Sequence, residues 1–138
     1  MASHQDHAVS ARIASQAGQL LLEIRERLSA QGADSWTLKD TGDLEAHRFI
    51  MKALREEFPD DGILSEEGRD DLERLNKKRV WIVDPLDGTR EFGEPGRSDW
   101  AVHIALAEDG VPTAGAVALP AINMTLGTEP PPQLPPLR

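Results

Sequence analysis

The segment from Val80 to Phe92, VWIVDPLDGTREF, limits the fold of this chain more than any other stretch of its sequence. Its first four residues are β-branched or aromatic, and so short an apolar run predicts a buried strand rather than a helix. Pro85 has no amide hydrogen, so we expect it to end the pairing of this strand. Asp87-Gly88 is a typical turn pair, and Thr89 is a suitable N-cap for a following helix. The segment therefore predicts a strand, a tight turn and a helix in direct succession.

Two carboxylates, Asp84 and Asp87, stand at the end of this predicted strand. Carboxylate oxygens attract a hard cation such as Mg²⁺, and the free amides at the start of a helix attract phosphate. The alternative is that Asp87-Gly88 is only a turn, since such pairs are common in an acidic chain. An EF-hand does not fit, because Pro85 and Val83 would occupy its ligand positions, and no GK[ST] sequence is present for a P-loop. A metal site beside a phosphate site indicates phosphoryl chemistry.

The chain has 138 residues, a net charge of −9 and no cysteine. Its length suits one domain with a substantial core, and its 28% charged and 39% hydrophobic residues are typical of a globular protein. The negative charge argues against a nucleic-acid polymer or an anionic membrane as partner, although metal ions can join an acidic site to an anionic substrate. The lack of cysteine favours a reducing cytoplasm, and no stretch is typical of a membrane span or a signal peptide.

Helical periodicity runs from about Ser3 to Ala30, with Gly32 as the C-terminal stop. The predicted buried stripe consists of Val9, Ile13, Ala17, Leu20, Leu21, Ile24 and Leu28. The predicted solvent face holds Glu23, Arg25, Glu26 and Arg27. His4 and His7 have a spacing compatible with a metal, but we expect histidines this close to a terminus to be solvated.

A second amphipathic helix is predicted from Asp43 to Phe58, and Pro59 ends it. A short extended piece from Trp36 to Lys39 and a turn at Asp40-Thr41-Gly42 are expected before it. The predicted buried stripe consists of Leu44, Ile50, Ala53, Leu54 and Phe58. Asp43 would then lie in the first turn of this helix, where a negative charge is favourable.

Two adjacent glutamates, Glu66 and Glu67, follow a short predicted strand at Ile63 to Ser65. Such a pair is normally a solvated surface feature, but here it stands at a strand end and not on a helix face. The polar segment Arg69 to Arg79 is predicted to be an exposed helix or loop.

Two further strands are predicted after a loop that contains glycine and proline. The first, Trp100 to Leu106, has no strongly polar face, so we expect it to be covered on both sides. We interpret His103 in this strand as a satisfied core or edge residue rather than a catalytic base. A hairpin turn at Glu108-Asp109-Gly110 leads to the returning strand, Thr113 to Leu119. Glu129 to Arg138 is proline-rich and predicts a stiff linker or a disordered tail.

The sequence DPLDGT, Asp84 to Thr89, resembles the metal-binding signature of the inositol monophosphatase superfamily of Mg²⁺-dependent, lithium-sensitive phosphatases. The resemblance runs from the first helix to about Leu119 and covers about the first half of a typical member. It implies an α+β fold, the N-terminal half of a layered α/β/α/β/α architecture, with two helices on a largely antiparallel sheet and no C-terminal α/β subdomain. Residues 1–127 would form the metal-binding domain, and residues 128–138 a proline-rich linker or tail.

The resemblance also implies roles for the site residues. The Mg²⁺ ligands would be Glu66, Asp84, Asp87 and the carbonyl oxygen of Leu86, with Glu67 in support. Thr89, paired with Asp43, would help a metal-bound water lose its proton and attack phosphorus in line. The amides of Gly88 and Thr89, together with Glu66, would bind the substrate phosphate. Family members carry a further aspartate in a Trp-Asp-x-x-x-Gly motif, and no Trp-Asp is present here, so we expect a truncated form or a fragment.

Arg90-Glu91-Phe92 is similar to the Lys/Arg-Glu-Phe/Tyr sequence of the CysQ-type 3′(2′),5′-bisphosphate nucleotidases. This implies hydrolysis of adenosine 3′,5′-bisphosphate, a by-product of sulfate assimilation, and a basic residue at Arg90 suits a doubly phosphorylated substrate. Inositol 1-phosphate or fructose 1,6-bisphosphate specificity on the same metal site is an alternative. A non-catalytic metal-binding fragment is an alternative of a different class. The resemblance further suggests a homodimer.

Overall fold

A computed structural model of the chain describes residues 2–65 and 76–129. Its helices are α1 (His4–Ala30), α2 (Ser35–Glu57) and α3 (Thr89–Phe92), and its strands are β1 (Gly62–Ser65), β2 (Arg79–Asp87), β3 (Ala101–Glu108), β4 (Val111–Leu119) and β5 (Met124–Gly127). A short 3₁₀ helix, Pro120–Ile122, links β4 to β5. The strands form a sheet in chain order, with β1 parallel to β2 and the other neighbours antiparallel. The predicted α+β fold, two long helices on a largely antiparallel sheet, is confirmed. Across the described ranges, no helix combines the length and the apolar character needed to cross a bilayer.

Helix α1 follows its predicted bounds because capping residues stand at both ends. The Ser3 hydroxyl accepts a hydrogen bond from the Asp6 amide (3.1 Å), and the Asp6 carboxylate accepts one from the Ser3 amide (2.8 Å). Gly32 follows the other end in the left-handed conformation, with a φ of +79°. The predicted stripe is buried at Val9, Ile13, Ala17, Leu21 and Ile24. The prediction for Arg25 was wrong: this residue is only 8% exposed and does not face solvent.

Helix α2 begins well before Asp43, so the predicted extended piece and turn in front of that residue are wrong. The Asp34 carboxylate accepts a hydrogen bond from the Thr37 amide (2.8 Å) and caps the helix there. Gly42 was predicted to be a turn residue, but it lies inside the helix. A Cβ on Gly42 would come within 2.6 Å of the Phe92 ring. The glycine therefore permits a close helix contact, which the local sequence pattern does not reveal.

Strand β2 continues past the proline that was predicted to end it. β2 pairs with β3 as far as Asp84, which lies opposite His103, and the pairing resumes at Asp87. Pro85 lies in the irregularity between these two aspartates, where a missing amide hydrogen costs no ladder bond. The strand end is thus a bulge, and the turn begins only after Asp87.

The hairpin between β3 and β4 closes at Asp109 and Gly110, which both have positive φ values (50° and 80°). Such values are those of a tight two-residue hairpin turn, as the sequence predicted. Strand β5 pairs with β4 and was not predicted. Its four residues, Met124–Gly127, are too few to show a clear alternation.

The core lies between the two long helices and one face of the sheet. Its members include Ile13, Leu21, Leu38, Ile50, Trp81, Val83, Ile104 and Leu106. Leu44 was predicted to be in this core, but it is 43% exposed. Within the described ranges the opposite face of the sheet is only partly covered, as the 45% exposure of Ile82 shows. We predicted that β3 would be buried on both faces, and within these residues only one face is fully buried.

Candidate functional site

The carboxyl ends of β1 and β2 lie side by side because these strands run parallel. Ser65, the last residue of β1, pairs with Val83, so the end of β1 lies beside Asp84. Glu66 and Glu67, the predicted metal ligand and its support, follow Ser65 in the sequence and lie outside the described residues. The pairing of β1 with β2 thus places Asp84, a predicted metal ligand, beside Ser65, the residue before Glu66.

Asp84 and Asp87 flank the bulge in β2. The two residues between them, Pro85 and Leu86, are buried. Asp84 is partly buried, whereas the Asp87 side chain is 60% exposed. Because buried backbone joins the two aspartates at the end of a paired strand, both carboxylates are held on a rigid element, as metal ligands require.

Gly88 occupies a position in this turn that requires glycine. Its φ of +82° lies in the left-handed region. A Cβ on Gly88 would also stand 2.8 Å from the carbonyl oxygen of Asp99 and 3.1 Å from the Cα of Trp100. The positive φ and the short distance to Asp99 and Trp100 each exclude a side chain at position 88. The turn therefore packs directly against the residues that precede β3.

Thr89 was predicted to be the N-cap of α3, but it is the first residue of that helix. Gly88 occupies the cap position and makes no side-chain bond there. The Thr89 hydroxyl donates instead to the carbonyl oxygen of Leu86 (3.2 Å). A carbonyl oxygen has two lone pairs, so this bond leaves one for a metal. The predicted ligand role of Leu86 is thus compatible with the observed bond.

Helix α3 is a single turn that packs against α2 and against Trp100, the residue before β3. Phe92 is fully buried, its ring centroid lies 5.0 Å from that of Trp100, and it occupies the space beside Gly42. Asp43 follows Gly42, so it belongs to the part of α2 that meets α3. Asp43 was predicted to lie in the first turn of the helix, but it lies well inside α2. Its pairing with Thr89 stays a prediction.

Arg90 extends from α3 with a side chain that is 80% exposed. Its Nε lies 3.9 Å from the Glu94 carboxylate. An exposed pair at this distance contributes little stability, so the guanidinium can exchange this contact for a phosphate group at small cost.

The prediction that His103 is a core or edge residue was wrong. Its Nε2 lies 3.0 Å from Oδ2 of Asp87, and its register position is opposite Asp84. The side chain is 41% exposed and β3 is the middle strand, so His103 is neither a core nor an edge residue. It contacts one predicted metal ligand and lies across from the other. Only the pairing register of β2 and β3 reveals this, and that register could not be predicted from the sequence.

His47 also escaped sequence reasoning. Its Nδ1 lies 2.9 Å from the Ser65 hydroxyl at the end of β1. His47 follows Asp43 by four residues on α2, so the two side chains share a helix face. The four-residue spacing in the sequence could have indicated that His47 lies beside Asp43. It does so only if Asp43 is known to lie within the helix.

The donors at this edge are oxygen atoms, the type that Mg²⁺ prefers. They comprise the carboxylates of Asp84 and Asp87 and the carbonyl of Leu86. Among residues 2–65 and 76–129, no group of three or more histidine, aspartate or glutamate side chains is arranged to hold a metal ion. The chemistry of the described donors fits Mg²⁺, and the predicted ligand set depends on Glu66 for its third carboxylate.

Comparison with known proteins gives a consistent result. A model of the inositol monophosphatase family matches residues 3–129. The chain is 54% identical over 111 residues to the 3'-phosphoadenosine 5'-phosphate phosphatase of Mycobacterium tuberculosis (strain CDC 1551 / Oshkosh), a match that covers 76% of this chain and 40% of that protein. It is 43% identical over 83 residues to the 3'(2'),5'-bisphosphate nucleotidase CysQ of Escherichia coli (strain K12), with 59% of this chain and 33% of that protein covered.

A solved structure of inositol monophosphatase II from Staphylococcus aureus MSSA476 has the same fold over the matched region. The TM-score is 0.78 at 26% identity, and the match covers 91% of this chain and 46% of that chain. The chain therefore spans less than half the length of the relatives that it matches.

Proposed function

The chain belongs to the inositol monophosphatase family, and we propose that it forms the metal- and phosphate-binding part of a Mg²⁺-dependent phosphomonoester hydrolase. The observation that carries this proposal is the end of β2, where Asp84 and Asp87 flank a buried bulge and Gly88 leads directly into α3. Because the chain spans less than half of its relatives, the activity is proposed for the full-length protein, meaning the chain with any sequence that follows Arg138 in its coding frame.

Mg²⁺ would be held by Asp84, Asp87, the Leu86 carbonyl and Glu66, with Glu67 in support. When bound there, it supplies a Lewis acid that offsets phosphate charge and makes a water molecule more acidic. Oxygen donors suit this ion. A chain with a net charge of −9 also needs bound cations to bring an anionic substrate close to its carboxylates.

The residues of the chain position the reactants. The Thr89 hydroxyl would take the proton of the attacking water and pass its own proton to the Asp43 carboxylate, as that water approaches phosphorus in line and the alcohol group departs, without a covalent intermediate. The bond from Thr89 to Leu86 keeps this hydroxyl next to a proposed metal ligand. The amides of Gly88 and Thr89, together with Glu66, would bind the phosphate.

Adenosine 3′,5′-bisphosphate is the proposed substrate. Two relatives of the chain are named as 3'-phosphoadenosine 5'-phosphate phosphatase and as bisphosphate nucleotidase. The exposed Arg90 supports this choice, because it extends from the phosphate-binding turn and carries a charge that a second phosphate could use. Inositol 1-phosphate is the second candidate, favoured by the structural match to an inositol monophosphatase.

Further proposed features concern the domain boundary, inhibition, assembly and location of the protein. Residues 1–127 would form the metal-binding domain and residues 128–138 a linker or tail. Thr128 still contacts the domain, because its hydroxyl accepts a hydrogen bond from the Gly115 amide (3.1 Å) and lies 2.6 Å from Nδ1 of His7. Inhibition by Li⁺, a homodimer and a cytoplasmic location stay predictions from the family resemblance and the composition.

Replacing Asp84 with asparagine tests the proposed metal site. In the full-length protein, Asp84→Asn is expected to abolish Mg²⁺ binding and phosphate release with little loss of stability, because it removes one charge from the ligand set. Asp109→Asn is a matched control, since Asp109 lies in the exposed hairpin turn, where asparagine also tolerates a positive φ. Titration calorimetry and a phosphate-release assay provide the measurements. Normal turnover by Asp84→Asn at saturating Mg²⁺ would rule out this site.

A substrate panel separates the candidate functions. The full-length protein is expected to hydrolyse adenosine 3′,5′-bisphosphate faster than inositol 1-phosphate and to need Mg²⁺. Equal rates on the two substrates would contradict the nucleotidase proposal and leave the phosphatase proposal intact. Absence of hydrolysis with either substrate, in a folded protein at saturating Mg²⁺, would favour a non-catalytic metal-binding role.

A further inference from the structure

Arg25 is a buried cation on α1 that binds the end of α3 and the residues that follow it. Its Nη1 donates to the carbonyl oxygen of Arg97 (2.9 Å). Its Nη2 donates to the carbonyl oxygen of Glu91 (3.2 Å) and to that of Glu94. One planar guanidinium thus binds three backbone acceptors within residues 91–97, and these lie 66 to 72 positions further along the chain.

Two aromatic rings enclose the same guanidinium. The Cζ of Arg25 lies 5.6 Å from the ring centroid of Phe92 and 5.5 Å from that of Trp100. The Trp100 indole donates a hydrogen bond to the Arg97 carbonyl (3.1 Å), so this oxygen accepts bonds from both side chains. Burial lowers the pKa of Arg25, but arginine still remains charged near neutral pH. Carbonyl dipoles and ring faces therefore compensate a full positive charge.

The segment that Arg25 binds has little regular structure to fix it. α3 has four residues, and residues 93–100 form neither helix nor strand. A single helical turn is not stable in isolation. The Glu94 amide donates to the Glu91 carbonyl and the Arg97 amide to the Glu94 carbonyl, both at 3.1 Å. Arg25 binds these two turn-closing carbonyls, so its contacts, together with the burial of Phe92, fix where the segment lies relative to α1.

We propose that Arg25 is a positioning residue for the phosphatase site: it fixes α3 and residues 91–97, so that the turn at Gly88 and Thr89 and the side chain of Arg90 keep the placement that a phosphorylated substrate needs. The proposal rests on the function proposed above. Arginine suits this role because its planar fork donates in several directions at once, whereas lysine presents a single nitrogen.

The positioning role predicts a division between two affinities. Asp84 and Asp87 belong to β2, whose position is set by pairing with its neighbours, so Mg²⁺ affinity should depend little on Arg25. The proposed phosphate-binding turn and Arg90 lead directly into the segment that Arg25 holds, so substrate affinity should depend on Arg25 strongly. A merely structural role would lower both affinities together with stability.

The test compares Arg25→Met and Arg25→Lys with Arg27→Met in the full-length protein. Arg27 lies on the same helix and is exposed, which makes it a matched control. KM and kcat for adenosine 3′,5′-bisphosphate are measured at saturating Mg²⁺, Mg²⁺ affinity by calorimetry, and the rate of trypsin cleavage after Arg90 and Arg97 by mass spectrometry. Arg25→Met is expected to raise KM about 10-fold and to speed both cleavages, while Mg²⁺ affinity changes less than about two-fold. Arg25→Lys should fall between Arg25→Met and the wild type, and Arg27→Met should match the wild type.

Each outcome bears on the proposal. Wild-type KM and cleavage rates in Arg25→Met would overturn it, and so would equal losses of substrate and Mg²⁺ affinity. If Arg25→Met does not fold, Arg25→Lys carries the comparison, with its fold checked by circular dichroism. Absence of phosphatase activity in the wild-type protein would refute the proposed function, and the trypsin comparison would then still decide whether Arg25 holds the segment.

Discussion

Replacing Arg79 with methionine is expected to destabilise the fold strongly, because three acidic side chains pair with this cation. Nη2 of Arg79 lies 2.8 Å from Asp6, Nε lies 3.1 Å from Asp61, and Nη1 lies 3.3 Å from Glu108. The three acids belong to α1, to the turn before β1 and to β3. Their side chains are only 4%, 10% and 15% exposed. The cluster therefore joins the helix layer to two parts of the sheet.

The expected magnitude follows from the burial of these carboxylates. Removing one partner of a buried ion pair costs about 3–5 kcal/mol, because the remaining charge stays buried without compensation. Asp6 is the most buried of the three acids and receives two hydrogen bonds from Arg79, at 2.8 and 3.1 Å. Methionine preserves much of the side-chain volume, so lost packing adds little. A loss of about 3–5 kcal/mol at pH 7 would be a large part of a typical domain stability of about 5–15 kcal/mol.

The effect should diminish in acid. Burial acts to raise the pKa of Asp6, but hydrogen bonds from Arg79 and Ser3 outweigh it and hold the pKa below its ordinary value. A carboxylate with a lowered folded-state pKa stabilises the fold above its unfolded pKa, about 4 for aspartate, and this contribution is lost as the pH falls through the folded-state value. In the Arg79→Met variant, the burial of Asp6 and its hydrogen bonds with Ser3 remain, and protonation relieves the charge that has lost its cation. The two proteins should therefore converge in stability as the pH falls below about 4.

Urea unfolding at pH 7 and at about pH 3.5 measures this difference. Tryptophan fluorescence is a suitable probe, because Trp81 is fully buried and its ring lies 4.9 Å from that of Phe58. Arg12→Met is the control, since the Arg12 side chain is 50% exposed and its pair with Glu57 should contribute only about 0–1 kcal/mol. A loss below about 1 kcal/mol at pH 7, or equal losses at the two pH values, would refute the reasoning.

Two further predictions concern single contacts near the site. Gly42→Ala would put a methyl group 2.6 Å from the Phe92 ring, so overpacking of about 1–3 kcal/mol should outweigh a helix-propensity gain of about 1 kcal/mol. Urea unfolding checks this, and a more stable variant would contradict a close contact at Gly42. His103→Ala removes the 3.0 Å contact with Asp87 and is expected to weaken Mg²⁺ binding about 10-fold with little change in the free energy of unfolding. Unchanged affinity in a calorimetric titration would show that His103 does not orient this carboxylate.

Features that depend on neighbouring residues were accessible from the sequence alone. The ends of α1 follow from the capping box at Ser3 and from Gly32, because each signal acts on the backbone within one turn. The turn at Gly88 follows from the Asp-Gly pair, and the observed φ of +82° agrees with it. The resemblance of DPLDGT to a metal-binding signature likewise required only six adjacent residues. These features gave the correct fold class and the predicted family.

Features that depend on contacts between distant residues required the tertiary structure. Gly42 resembles a turn residue until Phe92 packs against it, and a helix then passes through the predicted break. His103 gains its contact with Asp87 from the register of two strands, which no local pattern specifies. Arg25 was predicted to face solvent because arginine usually does. The carbonyl groups that compensate its buried charge lie 66 to 72 residues away, so only the folded chain brings them within hydrogen-bonding distance.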